Sequence, residues 1–177
     1  MKRHDWPRFL PALPSAYTPW MHDHGSLTLR IQQRSARFTV QPVRQGLAHI
    51  AYDESSLLNL PAHHHAYSRE VYLYADAQPV VFAHSACASQ HLRGIWRAMN
   101  GLGNRSLGSL LFTHPQVTRR PLHYLALRAP HPLYQRAASV LATAPDILYA
   151  RRSLFQLHGA PLLVTEVFLP YILRLQE

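Results

Sequence analysis

The chain has 177 residues, 47% hydrophobic and 15% charged, which is enough for one domain with a substantial core and too apolar for a disordered polymer. Its formal net charge is +9 with a pI near 10.3, and arginine carries nearly all of it because Lys2 is the only lysine, so anionic partners are favoured. The single cysteine, Cys87, excludes an intrachain disulfide or a thiolate metal cluster and fits a reducing compartment.

The N-terminal run MKRHDWPRFLPALP is interrupted by Asp5, Pro7 and Pro11 before a signal-peptide core develops. No stretch approaches the roughly 18 apolar residues of a membrane span. A cytoplasmic protein with no membrane partner is expected. Its basic residues are scattered, with pairs at Arg119-Arg120 and Arg151-Arg152 but no run or helical stripe, so nucleic acid is not the expected partner. A small, multiply charged anion steered to an arginine-lined pocket is.

Residues 1–25, with Pro7, Pro11, Pro14 and Pro19, read as an irregular lead-in with room for one helical turn, followed by a single domain over 26–177. SLTLRIQQR has weak helical periodicity. ARFTVQPVRQGLAHIAY, residues 36–52, is β-rich but broken by Pro42 and Gly46, the pattern of an edge or bulged strand. Residues 53–66 read as a polar loop, and REVYLYADAQPVVFAHSACA as a hairpin turning at Asp76 to Pro79. Ser89 is placed to cap a helix whose Leu92, Ile95, Trp96 and Met99 recur at i, i+3, i+4 and i+7. GLGNRSLG is a loop, TRRPLHYLALRA a strand, and HPLYQRAASVLATAP a short helix stopped before Pro145. LYARRSLFQLHGAPLLVTEVFLP is a second hairpin turning at His158 to Pro161. About six strands joined mostly by hairpins predict an α+β domain, a single antiparallel sheet with helices packed on one face.

In GAPLLVTEVFLP, residues 159–170, Leu162, Val164 and Phe168 alternate with Leu163, Val167 and Leu169, so the strand is apolar on both faces. Glu166 lies in the middle of it, where burial raises a carboxyl pKa unless a cation or hydrogen-bond donors hold the charge. It is either a structural ion pair, a residue on the exposed face of an edge strand, or a general acid or base. The two hairpins echo each other. When Pro79 is set on Pro161, Arg69 falls on Arg151 and His84 on Glu166, which would aim His84 and Glu166 into one interior. Arg69 is then a surface arginine or the grip on a ligand carboxylate.

Other motifs argue against alternatives. His63-His64-His65 are adjacent on a loop, with no matching carboxylate spacing for a metal site. Cys87, within apolar VVFAHSACA, reads as a small buried hydrophobe and not as a nucleophile. GLGNRSLG follows a helix and has no lysine, unlike a phosphate loop. There is no Gly-x-Ser-x-Gly elbow to support serine hydrolase chemistry.

SREVYLYADAQPVVFA, SLGSLLFTHPQVTRR and ARRSLFQLHGAPLLVTEVFLP, in that order and at these separations, closely resemble the chorismate lyase family over roughly residues 26–170. The resemblance implies an enzyme converting chorismate to 4-hydroxybenzoate and pyruvate at the start of ubiquinone synthesis. It further implies a monomer with an antiparallel sheet and helices on one side, enclosing its ligand under flaps, with no metal or cofactor. By matching motif, Arg69 would bind the ring carboxylate and Glu166 would face the 4-hydroxyl, while Leu27 and Leu107 would offer backbone N–H groups. Where the family pattern carries a second inward arginine, this chain has His84, so His84, or else Arg151 or Arg152, would hold the substrate's second carboxylate. Effector-binding domains of some transcription regulators resemble the same fold, normally behind an N-terminal winged helix. The first 25 residues do not supply one, so the enzyme is expected.

Overall fold

A computed structural model describes residues 6–175; the first five residues of the lead-in, with Lys2 and Asp5, and the last two of the chain lie outside the described residues. Among the described residues, seven strands form one antiparallel sheet: β1 (Phe38–His49), β2 (His65–Ala75), β3 (Gln78–Cys87), β4 (Thr118–Arg119), β5 (His123–Leu127), β6 (Leu148–Leu157) and β7 (Ala160–Phe168). Their order is β1-β2-β3-β7-β6-β4, with β5 also pairing β6. The α+β class with a single antiparallel sheet is the one expected from the sequence. Both hairpins turn where the sequence places them, through Asp76-Ala77 and His158-Gly159, all four at positive φ as two-residue turns require. The β1 edge strand carries a bulge between Pro42 and Arg44, because proline cannot donate to the ladder.

The helices are α1 (Thr18–Met21), α2 (Leu27–Gln32), α3 (Tyr52–Leu57), α4 (Leu107–Thr113) and α5 (Pro132–Ala138). They divide between the two faces of the sheet. Leu27 and Ile31 of α2 and Leu107 and Leu111 of α4 join core clusters with Val71, Leu73, Phe168, Phe155 and Leu162. Leu133, Tyr134 and Ala137 of α5 pack with Tyr72, Phe82 and Val167 on the other face, and Leu58, which ends α3, packs with Ala86 and Leu163 there. A strand apolar on both faces, as β7 is, leaves both to be covered.

Three local expectations are revised. Residues 52–57 are helical where a loop is expected, with the Glu54 carboxylate accepting from the Ala51 N–H at 2.9 Å. The helix expected from Ser89 is two 3₁₀ segments, Ser89–Arg93 and Arg97–Gly101, because Gly94 between them leaves helical geometry (φ −131°, ψ −110°). Trp96 and Met99 are still buried. The strand expected over TRRPLHYLALRA is split into β4 and β5 around Pro121. The lead-in is short of regular structure but integral to the core: Trp6, Tyr17, Trp20 and Met21 are buried. Among the described residues, no helix is long and apolar enough to cross a membrane.

Candidate active site

Along β2, β3, β7 and β6, side chains alternate between the faces, so one row of register fixes what meets what. On the front face Arg69 lies opposite Ser85, Ser85 opposite Val164, and Val164 opposite Ser153. The next row of this face is Val71, Ala83, Glu166 and Arg151. These two rows floor a pocket that α2 and α4 cover. Leu27, Arg69, Leu107 and Glu166, four of the residues singled out from sequence, line it together with Arg119, Val71, Phe112 and Phe155.

The cover is built by two similar helix starts. Ser26 accepts from the Leu29 N–H at 3.3 Å and Ser106 from the Ser109 N–H at 3.3 Å, each side chain capping the third N–H of its helix. Leu27 and Leu107 are therefore first-turn residues whose N–H groups have no carbonyl behind them in the helix. The helices abut closely, since a Cβ on Gly108 would stand 3.0 Å from Thr28 Oγ1.

Arg69 is buried, and its Nη2 donates to the carbonyls of Gly103 (2.9 Å) and Arg105 (3.0 Å), which ties β2 to the loop entering α4. Its Nε is buried with no hydrogen-bond partner among the described residues. Desolvation lowers its pKa from the ordinary arginine value, which marks a cation short of compensation. Glu166 accepts from Arg151 Nε at 2.6 Å. Arg151 is fully buried and also donates through Nη1 to the carbonyls of Trp20 and Asp23, both at 2.7 Å. The cation that holds Glu166 thus also holds the lead-in against the sheet.

His84 is not in this pocket, and the expectation that it shares an interior with Glu166 is corrected. His84 pairs with Thr165 and with Glu70 in the register, whereas Glu166 pairs with Ala83. Equal distance from a proline does not conserve the face when the two strands lie antiparallel with that register. His84 Nδ1 is 3.0 Å from Glu70 Oε1, and Nε2 is 3.2 Å from Glu54 Oε1, the latter an ion pair without hydrogen-bond alignment. Burial alone would lower the imidazole pKa; Glu54, then Glu70, outweigh it and raise it to about 9. Arg152, a sequence alternative for the missing charge, is also on the back face, paired to Asp53. Arg151 is committed to Glu166. Cys87 is buried, and desolvation pushes its thiol up to about 12, as expected of a packing residue.

Arg119 is the pocket residue that sequence reasoning missed. It lies inside SLGSLLFTHPQVTRR, but only the pairing of the two-residue β4 with β6 turns it inward. Its Nε donates to Ser153 Oγ at 2.8 Å and its Nη1 to the His24 carbonyl at 3.0 Å. The guanidinium stacks over Phe112 and Phe155, at 5.6 and 5.2 Å from the ring centroids. Two arginines, Arg69 and Arg119, thus line the pocket together with Glu166, which the fully buried Arg151 holds.

The site is thus a pocket on one face of an antiparallel sheet, closed by two short helices and lined by Arg69, Arg119 and Glu166. The chorismate lyase family model matches residues 5–176. A probable chorismate pyruvate-lyase of Nitrosospira multiformis is 53% identical over 92% of this chain and 93% of its own length. Those of Nitrosomonas europaea and Dechloromonas aromatica are 50% and 42% identical, covering 88% and 99% of this chain and 88% and 100% of their own. The chain belongs to the chorismate lyase family and is an enzyme of the lyase class. The match reaches into the lead-in, in keeping with the burial of Trp20 and Met21. The solved structures include PhnF of Mycobacterium smegmatis (TM-score 0.59, 13% identity, 84% of this chain and 65% of that one). They also include the ligand-binding domain of a putative GntR-family regulator of Bordetella bronchiseptica (0.56, 15%, 77% and 86%). These likenesses show the fold alone.

Proposed function

We propose that the protein converts chorismate to 4-hydroxybenzoate and pyruvate, the first committed step of ubiquinone synthesis, as a cytoplasmic monomer. Family membership supports the substrate and the reaction, and one feature of the pocket carries the reading. Its two lining arginines, Arg69 and Arg119, carry two positive charges beyond the Arg151–Glu166 pair, and chorismate, with a ring carboxylate and an enolpyruvyl carboxylate, brings two negative charges. Arg69 Nε, buried and unpartnered, donates to the ring carboxylate, aided by the Leu27 and Leu107 N–H groups.

The reaction is an elimination. The C4 proton leaves, its electron pair enters the ring π system, and the C3–O bond breaks with its pair passing to the enolpyruvyl oxygen. That enolate takes up a proton and becomes pyruvate, so substrate atoms balance product atoms with no further reactant. Aromatisation supplies the driving force, and the protein's task is alignment and stabilisation of charge on the departing oxygen. Glu166, fixed by Arg151, faces the 4-hydroxyl end, where it orients the hydroxyl or relays the proton.

Purified protein mixed with chorismate should release 4-hydroxybenzoate and pyruvate in equal amounts. Binding of aromatic carboxylates without turnover would instead make it an effector-binding module of the same fold. Added 4-hydroxybenzoate should raise the melting temperature, because a ligand of the folded state stabilises it by mass action.

A further inference from the structure

We propose that Arg119 is the residue that recognises the substrate's second carboxylate, the one the product no longer carries, and so discriminates chorismate from 4-hydroxybenzoate. The inference rests on the chorismate reading above and names the part of the pocket that makes it selective.

Position is the first argument. Arg69 and Ser153 stand at opposite ends of the row Arg69–Ser85–Val164–Ser153, three strand spacings apart, roughly 14 Å between backbones. Arg119 is hydrogen-bonded to Ser153, so the two arginines reach into one pocket from opposite ends. Glu166 is on β7, one strand from the Arg119 end. A ring held by its C1 carboxylate at Arg69 directs its C3–C4 edge toward β7 and β6. The 4-hydroxyl then meets Glu166, and the C3 ether with its carboxylate meets Arg119.

Availability is the second. Arg119 spends Nε on Ser153 and Nη1 on the His24 carbonyl, and among the described residues Nη2 has no hydrogen-bond acceptor. It is half-buried against Phe112 and Phe155, and burial lowers its pKa despite the attraction of Glu166, which is already paired to Arg151. Of the other cations nearby, Arg152 and His84 are on the back face with carboxylate partners, and Arg30 pairs with Asp23. Arg119 is thus the cation lining the pocket, beyond Arg69, with a donor uncommitted; Arg151 Nη2 also lacks an acceptor among the described residues, but Arg151 is fully buried and does not line the pocket.

The consequence is a pocket that loosens as it reacts. Once pyruvate leaves, the ligand keeps its hold at Arg69 and loses the one at Arg119.

Arg119→Gln, which retains a side-chain amide near Ser153, and Arg119→Lys, which retains the charge, test this against the wild type. The KM for chorismate is measured, with calorimetric Kd values for 4-hydroxybenzoate and for 3-(carboxymethoxy)-4-hydroxybenzoate, an unreactive dianion with a carboxylate on the C3 ether. In Arg119→Gln, chorismate KM and the dianion's Kd should rise about 30-fold or more, as for a buried charge pair deprived of one partner, while the Kd of 4-hydroxybenzoate stays within about threefold. Arg119→Lys should recover part of the loss. Parallel weakening of both aromatic ligands would reduce Arg119 to a structural residue, and unchanged KM and dianion affinity would overturn the assignment outright. Failure of the wild type to convert chorismate would reject the lyase reading, and the two titrations would still judge Arg119 by the same criterion.

Discussion

On β2, Arg69 and Glu70 are neighbours in sequence and face opposite sides of the sheet, and their surroundings differ in kind. On the back face, Glu70, Glu54 and Asp53 meet His84, Arg136 and Arg152, three carboxylates with three cations, each carboxylate within 3.2 Å of a cation. On the front, Arg151 is paired to Glu166, Arg119 feels its charge, Arg69 stands two strands away, and buried donors on Arg69 and Arg151 are left without acceptors. Matched charges behind the sheet pin α3 and α5 to it and leave nothing for a ligand. The surplus in front is a charge that only a bound anion neutralises, and such an imbalance in a buried place is tolerated when function requires it. The two sets lie one residue apart on the same strands, so strand register alone separates architecture from chemistry.

The largest expected effect belongs to the front face. Glu166→Gln should fold and still bind 4-hydroxybenzoate, since the amide oxygen can accept from Arg151 Nε, while turnover falls about 100-fold to 10 000-fold, the scale for a positioned acid or base. Wild-type-like turnover of the purified variant would show that the front face binds without using Glu166.

Much of this contrast was legible in the sequence, and its gaps have definite causes. The hairpins were marked by turn residues and apolar alternation, which are local signals. The motif blocks carried Leu27, Arg69, Leu107 and Glu166 into one site because each belongs to a contiguous segment. The face of His84 was not local information: it depends on Ala83 pairing with Glu166 across strands 83 residues apart, which no spacing within one hairpin reveals. Arg119 was hidden for the same reason, since its inward aim comes from Ser153 on β6, 34 residues away. The helix over YDESSL was missed because six polar-rich residues show no periodicity, yet it supplies the Glu54 and Asp53 that balance the back face.

The next effect concerns that balance. His84→Ala removes the cation between Glu54 and Glu70 and should cost about 3–5 kcal/mol of stability in chemical denaturation, the usual result of leaving buried charges unpaired. Turnover per folded molecule should change little. Intact stability with lost turnover would reverse the assignment of the two faces.

Arg69→Ala should weaken 4-hydroxybenzoate and chorismate together, by about 2–5 kcal/mol, because the ring carboxylate it holds is common to both. Calorimetry on the product is the measurement. An unchanged affinity would remove Arg69 from the site and with it the argument from surplus charge.

The smallest effect separates the faces by pH. His84 is held at about 9 when folded and returns to its ordinary value near ~6.5 when unfolded. Below pH ~6.5 both states carry the proton and its stabilisation is fully present. As pH rises toward 9 the folded state keeps a proton that the unfolded chain has released, so stability falls by at most about 1.4 kcal/mol per pH unit and the contribution is lost once pH passes the folded value. Glu54 and Glu70, both held below the ordinary carboxylate value despite burial, stay charged throughout this window beside the guanidinium groups of Arg136 and Arg152. His84→Arg places a cation there that does not titrate, so its stability should fall less steeply than that of the wild type between pH 6.5 and 9. Its KM for chorismate should stay within about twofold of wild type at every pH, because His84 faces away from the pocket. Parallel stability curves would deny His84 its charge, and a KM whose pH dependence changes with this substitution would return His84 to the substrate.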